Sequence, residues 1–409
     1  MNILFIGVAC TDEAIKQSNK KYYNNNATVR PQQYFDLNLI LGLSVHNNVL
    51  AISEPPVASY PRSNCLYYNR NEDVLSKNLK IKYIKLLNLF VIKTLMIMVT
   101  IFFETLIFCI LNKKKESVIL LGYLSFYISL PTMLIAKIFN IKIFVMVPDI
   151  PKYMDTYSNT KSIIRNKLSN LLSNLNKLFE NNFDGYVLLT EYMNELVNLN
   201  KKPYIVMEGF VIKETVSTTD NAHKDPKNIV MYAGTLHEKY GIKKLIDAFQ
   251  LINIDNCELW IYGEGDCLKL IQETSIINNS IKYKGTKNKD EIIKLEKMVT
   301  LLVNPRPSIE EFTKHSFPSK TLEYMASGTP VLTTKLLGIP DEYFEYLYTF
   351  DDESIEGLAK TILIVLSKSK DELYEKGKAA KEFVLMNKNN MTQTERILNM
   401  ITRGTCKTH

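Results

Sequence analysis

The sequence predicts an α/β chain folded as two successive units, each a doubly wound, largely parallel sheet. Short apolar segments such as Asn2–Val8, Ser117–Gly122, Ile141–Val147, Asn228–Tyr232 and Glu258–Tyr262 alternate with stretches of helical spacing, the pattern of strands buried on both faces by crossover helices. The series runs twice, and the polar stretch Lys213–Lys227 (KETVSTTDNAHKDPK) between the two runs has a linker composition. A length of 409 residues suits two or three domains.

At 46% hydrophobic and 23% charged residues, the chain is neither disordered nor fibrous, and it is long enough to bury a core without disulfides. Its net charge of +7 comes from 50 Lys and Arg against 43 Asp and Glu. No basic face with interleaved aromatics marks a nucleic-acid binder, so no nucleic acid is expected as a partner. The densest basic runs flank an apolar stretch, which points to an anionic membrane surface. The cysteines Cys10, Cys65, Cys109, Cys257, Cys267 and Cys406 form no C-x-x-C pair. They read as inert thiols in a reducing compartment, with no metal site.

In the first half, the opening apolar run is too short for a secretion leader and reads as the first strand of a cytoplasmic chain. A polar loop is expected from about Thr11 to Asn26, then a helix over Gln32–Leu43 (Tyr34, Leu37, Ile40, Leu41) and a strand over Asn48–Ile52. The apolar run Leu86–Asn112, with Lys80, Lys82 and Lys85 before it and Lys113–Lys115 after it, has three readings: a buried core helix, an interfacial helix pressed into a membrane surface, or a span. Lys93 and Glu104 inside it, and the core strand Ser117–Gly122 directly after it, argue against a span. A helix over Leu130–Phe139 follows, with Ser129 as its cap and Pro131 in its first turn. The strand Ile141–Val147 ends at Pro148-Asp149; a polar helical region, Ser162–Phe179, leads to strands Gly185–Leu189 and Tyr204–Met207. In the second half, strands are expected over Asn228–Tyr232, Glu258–Tyr262, Ile281–Lys284 and Thr300–Val303, with helices over Ile242–Phe249, Cys267–Glu273 and Lys289–Leu295 between them. The region after about Glu372 is helical and Lys-rich.

The most informative segment is His315-Ser316-Phe317-Pro318-Ser319-Lys320-Thr321-Leu322-Glu323-Tyr324-Met325-Ala326-Ser327-Gly328. Pro318 suits a first helical position and Gly328 the exit, so a short helix is expected between them. The amides of Ser319, Lys320 and Thr321 would then lie open toward an anion, with the Lys320 charge beside them. One turn on, Glu323 is placed to accept hydrogen bonds from a vicinal diol such as a ribose. Three glycine or arginine turns follow strands: Gly234-Thr235-Leu236-His237-Glu238-Lys239, Gly263-Glu264-Gly265-Asp266 and Asn304-Pro305-Arg306. Gly234 allows close backbone approach to a ligand, while Lys239 and Arg306 add charge for a diphosphate. All lie where open α/β sheets bind ligands, at the carboxyl ends of strands. The acidic doublet Asp351-Asp352 falls in a late loop and reads as solvated.

These blocks, YAGTLHEKYGIKKLIDAF, LWIYGEGD and FPSKTLEYMASGTPVL, resemble the donor-domain motifs of the family four (group 1) glycosyltransferases. The variant SFPSKTLEYMASG looks like those found among bacterial surface-polysaccharide glycosyltransferases. The resemblance implies the GT-B architecture, two Rossmann-like domains facing across a cleft: an acceptor-binding domain over 1–212, a nucleotide-sugar-binding domain over 213–385, and a C-terminal helix and tail over 386–409 returning to the first. It also implies retaining, metal-independent transfer from a nucleotide sugar, UDP-linked by family frequency, to a lipid-linked or oligosaccharide acceptor. No cofactor is expected, and the enzyme would attach peripherally to the inner face of the cell membrane.

By this resemblance the donor is held by Gly234, Thr235, Lys239, Gly263, His315, Pro318, Ser319, Thr321 and Glu323, with Glu323 on the ribose. The candidates for catalysis are Lys320 and Arg306, which would supply diphosphate-binding charge that the family's usual cations do not supply here, and Asp149, standing in for the usual His-Asp. The chain departs from the family pattern at several positions. The first motif glutamate is His315, the usual Arg is Thr235, the usual Lys is Tyr240, and the usual His-Asp reads Pro148-Asp149. Arg30, in the long first connection, is a candidate contact for an acceptor phosphate or the donor diphosphate. Two alternatives stay open: a non-catalytic glycosyltransferase-like partner protein, and a sugar-nucleotide epimerase on the same architecture.

Overall fold

The computed structural model describes residues 1–23, 31–150, 174–212 and 227–403. Arg30, most of the Ser162–Phe179 region and 213–226 of the expected linker lie outside the described residues. The chain divides into two compact units, Met1–Met207 with Asn390–His409, and Glu208–Asn389.

The first unit is built on an eight-stranded sheet in the order β10-β9-β8-β7-β1-β2-β5-β4. Its strands are β1 (Asn2–Gly7), β2 (Asn48–Ser53), β4 (Glu72–Ser76), β5 (Leu79–Tyr83), β7 (Ser117–Leu121), β8 (Lys142–Val147), β9 (Gly185–Leu188) and β10 (Tyr204–Val206). All pairs are parallel except β4 with β5. β1 is central, and Ile3, Leu4, Phe5 and Ile6 are fully buried, which explains their unbroken apolar run. A separate antiparallel pair joins β3 (Tyr67–Tyr68) to β6 (Leu86–Leu87).

Three expectations are corrected here. The supposed loop after β1 contains a helix, Asp12–Tyr22, because Thr11 caps it by accepting from Ala14 N; Asp12 and Glu13 fill its first turn and Lys20 and Lys21 its last. It buries little more than Ala14, Ile15 and Ser18, so its composition stays polar. The helix expected from Leu130 begins at Phe126, with Ser125 rather than Ser129 at the cap position and Pro131 inside it. Its start is fixed by Asn176 Oδ1, which accepts from Phe126 N at 2.7 Å. The run Leu86–Asn112 opens with β6 and becomes the helix Phe90–Leu111. This helix is not a buried core helix: its most apolar window is only 28% buried. Ile97, Ile101, Thr105, Phe108 and Cys109 face inward, while Val91, Leu95, Val99, Phe103, Ile107 and Ile110 form an exposed apolar stripe. Glu104 is paired with Lys82 at 2.8 Å.

The second unit holds a six-stranded, wholly parallel sheet in the order β13-β12-β11-β14-β15-β16. Its strands are β11 (Asn228–Ala233), β12 (Cys257–Tyr262), β13 (Ile281–Tyr283), β14 (Leu301–Asn304), β15 (Val331–Thr334) and β16 (Tyr348–Phe350). Counted within the unit the order is 3-2-1-4-5-6, that of dinucleotide-binding sheets. Apolar layers cover both faces, one centred on Leu245, Phe249 and Ile362, the other on Tyr324, Tyr343 and Val384. Asp352 accepts from Ser354 N at 2.9 Å, and Ser354 in turn caps the helix Ile355–Leu366, so the acidic doublet shapes a turn.

The unit boundaries fall at Met207/Glu208 and Asn389/Asn390, shifted from 212/213 and 385/386. The cause is local: Val211 N donates to Lys388 O at 2.8 Å, and the buried Lys388 Nζ lies 2.9 Å from Glu208 Oε1. Both ends of the second unit are thereby tied to it. Beyond Asn389 the helix Asn390–Arg403 buries Ile397, Met400 and Ile401 in the first unit, against the helix Pro31–Leu43. Gly42 permits that approach, since a Cβ there would lie 2.7 Å from Thr394 Oγ1.

Candidate functional site

In the second sheet the strand order reverses between β11 and β14, and the crevice outside such a reversal is where open α/β sheets hold ligands. The loops at that edge are locked by glycine. A Cβ on Gly263, whose φ is +131°, would fall 1.7 Å from Gly234 O. On Gly241 (φ +80°) it would fall 2.0 Å from Pro305 O. The loops after β11, β12 and β14 therefore pack backbone to backbone. Hydrogen bonds from Gly234 N to Tyr262 O (2.9 Å) and Leu236 N to Glu264 O (2.8 Å) complete the contact. Asp266 closes the far side, accepting from Glu238 N at 3.2 Å and lying 2.8 Å from His237 Nδ1. Slight desolvation opposes ionisation of Asp266, yet these bonds hold its carboxyl below the usual range.

The short helix Ser319–Ser327 stands at the same edge. It is fixed from within by Tyr324, fully buried, whose hydroxyl accepts from Ala233 N (3.0 Å) and donates to Ala233 O (3.2 Å) at the end of β11. Gly328, at φ +78°, ends it as expected. Pro318 occupies the cap position and Ser319 the first helical one, a shift of one residue. Two expectations about Thr321 are corrected. Its amide is not open, for it donates to Pro318 O at 2.8 Å, and its fully buried hydroxyl accepts from Asn304 Nδ2 at 3.4 Å. Thr321 therefore supports β14 from behind and does not face a ligand.

Lys320 is half-buried and crosses Gly234: a Cβ on that glycine would fall 2.2 Å from Lys320 Cε. Arg306 lies over the rings of Tyr240 and Phe312, 4.9 and 5.5 Å from their centroids, and Lys239 Nζ lies 5.4 and 5.7 Å from the same rings. Tyr240, standing where the resemblance expects a lysine, thus serves as a platform for two neighbouring cations. Thr235 is exposed, and its carbonyl accepts from the Tyr232 hydroxyl at 3.0 Å. His315 is half-buried, its amide donating to Phe312 O at 3.1 Å. Glu323 is half-exposed, with Lys289 Nζ 3.6 Å from Oε1. Asp149 belongs to the first unit, exposed after β8.

One group escaped the sequence reading. Glu296, on the helix Lys289–Met298, is 2% exposed. Burial, reinforced by the charge of Glu323 and opposed by Lys320 and Lys289, pushes its carboxyl up to about 8. Its signal was a glutamate on the face carrying Ile292, Leu295 and Val299.

Fold and site together define an α/β protein of two Rossmann-like units, the second holding an anion-adapted loop cluster at its switch point. Residues 214–382, somewhat less than half of the chain, match the model of the family described as glycosyl transferases group 1. Among solved structures, sucrose-phosphate synthase from Thermosynechococcus elongatus is similar over 99% of this chain and 100% of its own (15% identity, TM-score 0.66). The lipopolysaccharide outer core galactosyltransferase WaaB, in apo form, covers 99% and 100% (14%, 0.61). Anabaena HepE in complex with UDP and glucose covers 98% and 99% (12%, 0.61). At these identities they show a shared fold, that of GT-B glycosyltransferases. No curated protein matches the sequence.

Proposed function

We propose that this chain is a retaining, metal-independent glycosyltransferase that moves a sugar from a nucleotide-sugar donor, UDP-linked, to a lipid-linked or polysaccharide acceptor in bacterial cell-surface glycan synthesis. The observation that carries the reading is the grouping of Lys320, Arg306 and Lys239 with Glu323 at the switch point of the second sheet. Breaking the sugar–phosphate bond leaves its electron pair on a nucleoside diphosphate, and fixed cations aimed at that growing charge stabilise the transition state. Glu323 accepts from the ribose hydroxyls. Retention by front-face attack needs no protein nucleophile, only donor and acceptor held close: the acceptor hydroxyl oxygen bonds to the anomeric carbon on the face the diphosphate leaves, and its proton passes to the departing phosphate oxygen. Asp149, in the first unit, is the third catalytic candidate. HepE, solved with UDP and glucose, and WaaB, a lipopolysaccharide galactosyltransferase, favour a uridine donor and a surface-glycan acceptor.

Peripheral attachment to the inner face of the cell membrane belongs to the same reading. The exposed apolar stripe of Phe90–Leu111 lies directly before Lys113–Lys115, a pairing suited to an anionic leaflet.

The test is incubation with UDP-glucose, UDP-galactose and UDP-N-acetylglucosamine in EDTA, with and without a bacterial lipid extract as acceptor. UDP release that needs the extract, with the donor's anomeric configuration kept in the product, is expected. Conversion of the sugar nucleotide without acceptor would point to an epimerase, and no turnover with any donor to a non-catalytic partner.

A further inference from the structure

The first sheet has its own reversal, between β1 and β7, and its carboxyl edge is chemically unlike that of the second. Gly7 ends β1 and Gly122 directly follows β7, with the fully buried Asp36 directly behind them: a Cβ on Gly7 would fall 2.5 Å, and on Gly122 2.9 Å, from Asp36 Oδ2. That oxygen accepts from Val8 N at 2.9 Å, and Oδ1 accepts from Gln32 Nε2 at 2.7 Å. Both oxygens are occupied, so Asp36 is a floor. Glu54 follows β2 and Tyr123 follows β7, one strand to each side of β1. The Tyr123 hydroxyl donates to Glu54 Oε1, so the pair reaches across the end of β1. The Tyr127 hydroxyl lies 3.0 Å from that of Tyr123, with ring centroids 6.3 Å apart and tilted by 60°. Glu54 is buried, and both tyrosines are half-buried.

Charge decides what fits. The described residues that follow β1, β2, β7 and β8 (8–11, 54–57, 122–125 and 148–150) include no Lys or Arg, and their charged groups are Glu54 and Asp149. An anion there would face carboxylates, whereas a neutral polyol would find acceptor oxygens for its hydroxyls and tyrosine rings for its C–H faces.

We propose that Glu54, Tyr123 and Tyr127 form a subsite for an uncharged sugar ring, the terminal residue of the acceptor glycan. This rests on the glycosyltransferase reading and adds that the acceptor end entering the first unit is a neutral sugar and not a phosphate.

The test is saturation-transfer NMR on the full chain with the methyl glycosides of glucose, galactose and N-acetylglucosamine, and separately with glucose 1-phosphate, alongside calorimetric titration of UDP. At least one glycoside is expected to bind, at least tenfold more weakly in Glu54→Gln and Tyr127→Ala, with UDP affinity unchanged. Tyr123→Phe, which keeps the ring and the packing, is expected to lose part of the affinity. Binding by none of the glycosides, equal binding by wild type and variants, or stronger binding of glucose 1-phosphate overturns the subsite. If UDP also fails to bind, the glycosyltransferase reading falls with it; if UDP binds normally, only the subsite does.

Discussion

Lys320 runs over Gly234 so closely that a Cβ at position 234 would sit 2.2 Å from Lys320 Cε. The glycine after β11 is thus a steric condition for the course of the lysine. Gly234→Ala is expected to push the ammonium group away from the switch point and to weaken UDP binding roughly tenfold, about 1.4 kcal/mol, with little change in Tm. Calorimetry beside a thermal melt checks this; an unchanged affinity would mean that Lys320 does not meet the diphosphate.

Arg306 is held over Tyr240 and Phe312, and in the proposed reaction it is the cation that meets the leaving group. Arg306→Ala is expected to lower kcat by ~10²–10³, with a smaller effect on UDP affinity, because the charge it meets grows only as the bond breaks. Steady-state kinetics with the best donor separates the two, and an equal loss in binding and turnover would assign Arg306 to ground-state binding alone.

Glu296 makes a pH prediction. Burial, with the Glu323 charge adding to it, raises its carboxyl to about 8, against an ordinary value of 4.5. The folded protein therefore holds a proton that the unfolded chain has lost, and stability falls as pH rises from about 4.5 through about 8. Glu296→Gln, neutral at every pH, removes that part of the decline. Its Tm relative to wild type is expected to climb from pH 5 to pH 8.5; a difference that stays flat across the range contradicts the assignment.

The exposed stripe of Phe90–Leu111 predicts vesicle binding. Cosedimentation with phosphatidylglycerol vesicles is expected, and neutralising Lys113, Lys114 and Lys115 to Gln should weaken it about a hundredfold, at roughly 1 kcal/mol for each lysine. Equal binding to phosphatidylcholine, or none to either, contradicts the membrane reading.

Much of the architecture was legible because burial on both faces writes itself into sequence. β1, β7, β8 and β11 are apolar runs but for polar first residues, and Gly328 marked the end of the Ser319–Ser327 helix because only glycine readily takes its φ of +78°. The helix Asp12–Tyr22 was hidden because it buries three small or medium side chains and otherwise faces water. The pair β3 and β6 was hidden because two-residue strands carry no period. In the site, charged residues near glycines were readable, whereas burial was not: Thr321 was mistaken for a ligand contact, and Glu296 was passed over as an ordinary helical glutamate. The backbone contacts of Gly263 with Gly234 and of Gly241 with Pro305 join segments distant in sequence, and no local pattern encodes them.

The central claim is that the second unit binds a nucleotide through Glu323 without a metal. Calorimetric titration of UDP, GDP and ADP in EDTA, into wild type and Glu323→Ala, tests it most directly. The account predicts that UDP binds the wild type and that the variant loses at least tenfold in affinity. Failure of all three nucleotides to bind, or equal affinity in the variant, would contradict it.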